Sequence, residues 1–219
     1  VENGAGLKNI SKLTQVEMDL GFRSSFSFVA ERYDTPKYLR DELKRKGFGI
    51  SIHGLKHDGK LFLSKEVFNE RARKINNYLE QWNAKGFTSP SMHRNFDWMH
   101  ELNIDYSTST FDTDPFEPQP EGIKTIFPLW VTSKTNVNNS RKNGFVELPY
   151  TMPQDSTLFI LMKENNIDIW KRKLDWIAEK GGLALLNTHP DYMDFENEKL
   201  ELEKYPARFY TDLLRYIKI

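Results

Sequence analysis

The chain has 219 residues, with 31 basic and 31 acidic side chains and so no formal net charge. That balance argues against nucleic-acid binding by bulk electrostatics, and no basic block or apolar run of transmembrane length points to a membrane. Cysteine is absent, which excludes disulfides, thiol nucleophiles and Cys-ligated zinc and leaves the compartment open. Five Trp, nine Tyr and fifteen Phe can build a core, and a few of them can serve as flat platforms for sugar rings. The first residue is Val1, which reads as the start of a fragment or a processed product.

Strand-like and helix-like runs alternate along the chain. Phe22 to Val29 reads as a strand. Thr35-Pro36 opens a helix through Lys46, with Thr35 as N-cap and Pro36 at the first helical position, and Gly47 ends it. Phe48 to Ile52 alternates apolar with small or polar residues and is the next strand. Ser64 to Lys85 is a long helix with Phe68, Ala72, Ile75, Leu79 and Trp82 on one face, capped by Ser64 and closed by Gly86. Phe87 to Pro90 is a short strand entering a loop, Asn95 to Leu102 a short helix, and Ile104 to Ser109 a strand. A proline-rich loop covers 112–120. Strands are expected over Ile126–Val131 and Phe145–Tyr150, with a polar turn over 135–143 between them. Ile167–Lys180 is helical, Leu183–Leu186 is a buried strand leading to His189, and a last helix spans Pro206–Ile217.

Such alternation implies a mostly parallel sheet or barrel, whose functional groups gather at the carboxyl ends of the strands. His53 and His57, Ser89-Pro90, Ser107 to Ser109, and His189 all fall at expected strand ends. The pair His53-Gly54-Leu55-Lys56-His57 stands out. Residues four apart share a face of an extended segment, and Gly54 permits a tight turn, so both imidazoles can converge on one ion. The helical metalloprotease pattern needs a Glu after the first His, and Gly54 is there instead. Two surface histidines in a polar loop are the plainer alternative.

In order along the chain, these segments resemble the NodB-type polysaccharide deacetylases (carbohydrate esterase family four). His53 and His57 match the family's His-Ser/Thr-x-x-His metal motif, with Gly54 in the hydroxyl position. Thr88-Ser89-Pro90 matches its Arg-x-Pro motif with Thr88 in place of the Arg. Leu186-Asn187-Thr188-His189 is similar to its final Leu-x-His, with one extra residue. The family's first motif, an aspartate pair, is not in this chain; Val1-Glu2 is a candidate tail of a His-Asp-Val-Asp/Glu variant.

The resemblance implies an α/β fold, a distorted, seven-stranded, TIM-like (β/α) barrel. It implies a single catalytic domain over 1–219 whose first strand precedes Val1. It implies a divalent metal, zinc by default, and hydrolysis of N- or O-linked acetyl groups on a glycan substrate. The metal ligands would be His53, His57 and Glu2, with Glu2 alternatively the base or a solvated terminal side chain. His189 would be the general acid, tuned by Asp191 or Asp194, or else a satisfied structural histidine. The Ser91 amide would donate to the oxyanion. Arg94 would replace the motif arginine or be a surface residue. Trp130, Tyr150 and Phe116 are candidate sugar platforms, Asp112 and Asp114 candidate cleft residues, and Trp98, Trp170 and Trp176 packing residues. His93 and His100 read as surface or helix residues rather than ligands. Two alternatives stand beside this reading: an inactive relative that binds carbohydrate or a partner, and another metal-assisted amidase on the same barrel. No nucleic-acid partner or membrane span is expected, and oligomeric state is not encoded legibly.

Overall fold

The computed structural model describes residues 1–114, 116, 117, 119, 121–133, 143–196 and 202–218. Its elements in chain order are α1 (Gly4–Asp19), β1 (Ser25–Phe28), α2 (Lys37–Arg45), β2 (Gly49–Ile52), α3 (Lys65–Gln81), β3 (Gly86–Phe87), α4 (Phe96–Met99), β4 (Tyr106–Ser107), β5 (Leu129–Thr132), β6 (Gly144–Glu147), α5 (Asp168–Lys180), β7 (Met193–Asp194), β8 (Tyr205–Pro206) and α6 (Arg208–Ile217). They fall into two compact units, Ser25–Tyr150 and the pair of segments Val1–Ser24 and Thr151–Ile219.

The Ser25–Tyr150 unit is built on a six-stranded sheet of order β1-β2-β3-β4-β6-β5. Neighbours from β1 to β6 pair in parallel, and only the edge strand β5 is antiparallel. Parallel strands need crossovers, and α2 and α3 supply two of them. Helix α3 forms because apolar residues recur at helical spacing: Phe68, Ala72, Ile75 and Leu79 are all buried. Each large side chain so buried contributes about 1.5–3 kcal/mol, and an acidic residue at Ile75 would break that face. The Ser64 hydroxyl accepts from the Val67 amide at 3.3 Å, as the sequence predicts for its cap.

Two helix ends differ from expectation. Helix α3 stops at Trp82, with Asn83 left-handed at φ 44, well before Gly86. Gly86 instead starts β3, where an added Cβ would lie 2.2 Å from the Tyr106 ring. The glycine is there for close strand packing, not for a helix stop. Helix α2 begins one residue later than expected, with Pro36 as cap and the Thr35 side chain buried without capping it.

The other unit opens with α1, a helix the strand-based reading of the sequence does not anticipate. Asn3 caps it, accepting from the Ala5 amide at 2.8 Å, and Ile10, Leu13 and Glu17 are buried on one face. The carboxylate of Glu17 accepts from the Ser24 amide and the Tyr210 hydroxyl, both at 2.9 Å, joining α1 to α6. Strands β7 and β8 form a short parallel pair. Among the described residues the expected strand Leu183–Leu186 makes a single bridge, Met152 to Leu186, and it is half-exposed rather than buried. Gly181, left-handed at φ 66, ends α5 and turns the chain into it.

The expected distorted, seven-stranded barrel is corrected: among the described residues the large sheet has six strands and is not closed. The fold class, α/β with a mostly parallel sheet, stands. The polar turn expected over 135–143 lies outside the described residues apart from Asn143, as do three prolines of the 112–120 loop. Among the described residues, no helix is long and apolar enough to cross a membrane.

Candidate functional site

In the Ser25–Tyr150 unit, β2 ends at Ile52 and the His53 amide continues the ladder, donating to the Phe28 carbonyl at 2.7 Å. The side chain of His53 is 8 % exposed, and its Nδ1 lies 2.8 Å from the Thr88 carbonyl oxygen. A carbonyl only accepts, so Nδ1 carries the hydrogen and the lone pair of a neutral ring sits on Nε2. That is the tautomer in which Nε2 can act as a ligand, held by a main-chain hydrogen bond. The His53 and His57 rings lie 5.0 Å apart at 60° to each other.

The backbone between them is tightly constrained. Gly54 has φ +67, and a Cβ there would fall 2.6 Å from Pro90 Cγ. A side chain here would be strained and would have to displace the Pro90 ring. His57 (φ 50), Ser91 (φ 52) and Met92 (φ 52) are three of six described non-glycine residues in the left-handed region. Each such residue costs on the order of 1–3 kcal/mol, and strain of this kind gathers at functional sites. Ser91 is the centre of a short turn over Pro90–Met92.

Thr88, in the place of the motif arginine, faces hydroxyls: Ser27 at 3.0 Å and Thr108 at 2.5 Å, with Ser27 bonded onward to Ser51 at 2.6 Å. Arg94 straps the turn to the following loop. Its amide donates to Gln119 Oε1 at 3.0 Å, its guanidinium donates to the Glu121 carbonyl, and it lies 5.4 Å from the Phe111 ring centre. Burial pushes its pKa down, against the opposing charges of Glu147 and Glu117.

In the other unit, His189 is tied to a carboxylate that the sequence does not single out. Asp155 is fully buried; its Oδ1 accepts from His189 Nδ1 at 2.6 Å, and its Oδ2 accepts from the His189 amide at 2.7 Å and from Tyr205 at 2.9 Å. His189 Nε2 lies 3.7 Å from Glu2 Oε1. Tyr192 donates to the other oxygen of Glu2 at 3.4 Å. Burial lowers the His189 pKa, but the charge and hydrogen bond of Asp155, with Glu2 behind, outweigh it and the net shift is upward.

Asp191 and Asp194, the expected partners of His189, are engaged elsewhere. Asp191 accepts from the Glu2 and Asn3 amides at 3.0 and 2.9 Å, and Asp194 from the Glu196 amide at 2.8 Å. Asp155 is 34 residues from His189, and no local pattern links them.

Of the aromatic candidates, Trp130 and Phe116 are exposed at 54 % and 53 %, whereas Tyr150 is buried. The Tyr150 hydroxyl faces Asp114 Oδ2 at 2.9 Å and Glu117 Oε1 at 2.5 Å, so it is no sugar platform. Trp170 is fully buried, as expected of a packing residue, and Trp98 packs near Phe62 and Phe68; Trp176 is 44 % exposed and departs from that expectation. His93 borders a small pocket with His57 and Arg71, and His100 packs beside the Phe145 ring.

No protein-family profile matches the chain, and no curated protein matches it in sequence. Solved structures do match in fold. A Mycobacterium smegmatis protein assigned as a polysaccharide deacetylase superposes with a TM-score of 0.66 at 14 % identity, over 97 % of this chain and 71 % of that one. The PuuE allantoinase matches with a TM-score of 0.54 at 19 % identity, over 98 % of this chain and 66 % of that one. A 4-alpha-glucanotransferase from Thermococcus litoralis matches with a TM-score of 0.50 at 13 % identity, over 81 % of this chain and 27 % of that one. At these identities the likeness is one of fold, and the fold is a divergent form of the polysaccharide deacetylase type.

Proposed function

We propose that residues 1–219 act as one catalytic domain, a metal-dependent hydrolase that removes acetyl groups from a polysaccharide. His53 and His57 hold a divalent ion and Glu2 is its third protein ligand; two imidazoles and a carboxylate suit zinc. The observation that carries this reading is the His53 ring. Its Nδ1–H is committed to the Thr88 carbonyl at 2.8 Å, which in the neutral ring places the lone pair on Nε2, beside a second imidazole 5.0 Å away. A divalent ion bound there supplies Lewis acidity for the acetyl carbonyl and a lowered pKa for water.

The remaining chemistry falls to the chain itself. The Ser91 amide donates to the developing oxyanion, and Arg94 keeps the turn that carries it in place. His189 gives a proton from Nε2 to the leaving amine or alkoxide. Asp155 is its positioning residue: it fixes the ring by Nδ1 and favours the protonated form. Trp130 and Phe116, exposed aromatic surfaces, can stack on sugar faces.

The test is acetate release from N-acetylated and O-acetylated glycans, beside a small cyclic amide. Acetate from a glycan, lost in His189→Ala, is the expected result. Hydrolysis of the cyclic amide alone would move the assignment to an amidase. Glycan binding with no turnover of any substrate would demote the chain to an inactive binding domain, the outcome that Thr88 in the arginine position would explain. Glu2→Gln separates its two roles: a ligand loses metal, whereas a base keeps metal and loses rate.

A further inference from the structure

The Thr88 carbonyl that holds His53 is one end of a peptide group whose other end is held as well. The Ser89 amide, in the same planar unit, donates to Ser109 Oγ at 2.9 Å. Ser107 donates to that same oxygen at 2.8 Å, so both lone pairs of Ser109 Oγ are used and its direction is fixed. The Ser109 amide donates in turn to Glu147 Oε1 at 2.8 Å, where Thr110 also donates at 2.8 Å. Ser89, Ser109 and Glu147 are each 0 % exposed. The series thus runs from a buried carboxylate on β6, through the end of β4 and the end of β3, to the ring beyond β2.

We infer that Ser109 is a positioning residue for His53, fixing the Thr88–Ser89 peptide plane and through it the ring's orientation and Nδ1–H tautomer. The function of that constraint rests on the proposed reading of His53 as a metal ligand; the constraint itself does not. Pinning an amide at its N–H end polarises the carbonyl at the other, which strengthens the bond that the carbonyl accepts. An imidazole whose Nδ1–H is well bonded is a more basic and better oriented ligand through Nε2. Thr88 carries this role by its main chain, so the loss of the motif arginine does not remove it. Glu147 acts one step further back.

The experiment compares wild type, Ser109→Ala, Ser109→Thr and His53→Ala. Nitrogen-15 spectra of the His53 ring are recorded in the metal-free proteins, and zinc affinity is measured by chelator competition. In wild type, His53 is expected as a single Nδ1–H tautomer. In Ser109→Ala that population falls and zinc affinity drops about 10-fold or more, the scale of outer-shell losses; Ser109→Thr, which keeps the hydroxyl, stays nearer wild type. A wild-type ring in the Nε2–H form overturns the inference without any variant. So does a Ser109→Ala protein with unchanged ring spectra and unchanged zinc affinity. If wild type binds no zinc, the metal reading fails, and the ring spectra alone still decide whether Ser109 sets the tautomer. Should Ser109→Ala not fold, Ser109→Thr and Glu147→Gln are read in the same way, and ring spectra identical to wild type in both, with unchanged affinity, count against it.

Discussion

His53 and His189 are both nearly buried, yet the chain holds them in opposite ways. His53 donates its Nδ1–H to a main-chain carbonyl, and His189 faces a buried carboxylate. A carbonyl dipole brings no full charge; in the neutral ring it fixes the Nδ1–H tautomer and places the lone pair on Nε2. A carboxylate at 2.6 Å brings a full charge, which favours the imidazolium. One arrangement suits a ligand and the other an acid, and the difference lies in the partner, not in the histidine.

Breaking the His189 side has the largest expected effect. His189→Ala is expected to lower kcat by about 10²–10⁴-fold, the range for a lost general acid. Asp155→Asn removes the charge but keeps an acceptor, and its expected loss in kcat is about 10²-fold with KM within about 3-fold, read by steady-state acetate release. The matching change on the His53 side is Thr88→Ala. It deletes the hydroxyl and leaves the carbonyl, so metal content and kcat are expected within about 3-fold of wild type. A Thr88→Ala loss as large as that of Asp155→Asn would mean that the Thr88 side chain, not its main chain, supports the site.

Gly54→Ser introduces the hydroxyl of the resembled motif and tests the turn between the two histidines. With φ +67 and Pro90 Cγ 2.6 Å from the new Cβ, it is expected to destabilise by more than about 1 kcal/mol in urea unfolding. The smallest effect belongs to Glu17, a buried carboxylate that accepts from the Ser24 amide and the Tyr210 hydroxyl. Burial raises its pKa above 4.5, partly offset by the hydrogen bonds from Ser24 and Tyr210. The folded state then binds more protons than the unfolded one, so stability falls as pH rises from about the unfolded value through the raised folded one. Glu17→Gln is expected to flatten that slope, measured as urea midpoints from pH 4 to pH 7.

The contrast between the two histidines also marks what a sequence displays. His53-x-x-x-His57 after an alternating run, and the Ser64 cap with its four buried apolar residues in α3, are local patterns, and the structure follows them. Partners supplied by distant residues leave no such trace. Asp155 lies 34 residues before His189 with no periodic relation to it, and the Asp191 and Asp194 carboxylates nearby in sequence cap backbone amides instead. The Thr88 carbonyl is invisible because every residue has one. Leu183–Leu186 looks like a core strand because its side chains are apolar, but the chain leaves it half-exposed with one bridge. Helix α1 was legible in principle, since Leu7, Ile10 and Leu13 stand at helical spacing behind Asn3.

The most direct test of the central claim is the metal content of the purified protein beside a His53→Ala/His57→Ala double variant, each folded by circular dichroism. Close to one divalent ion per wild-type chain and none in the variant is the expected result. Equal metal in both proteins, or none in either, would contradict a metal centre at these two histidines.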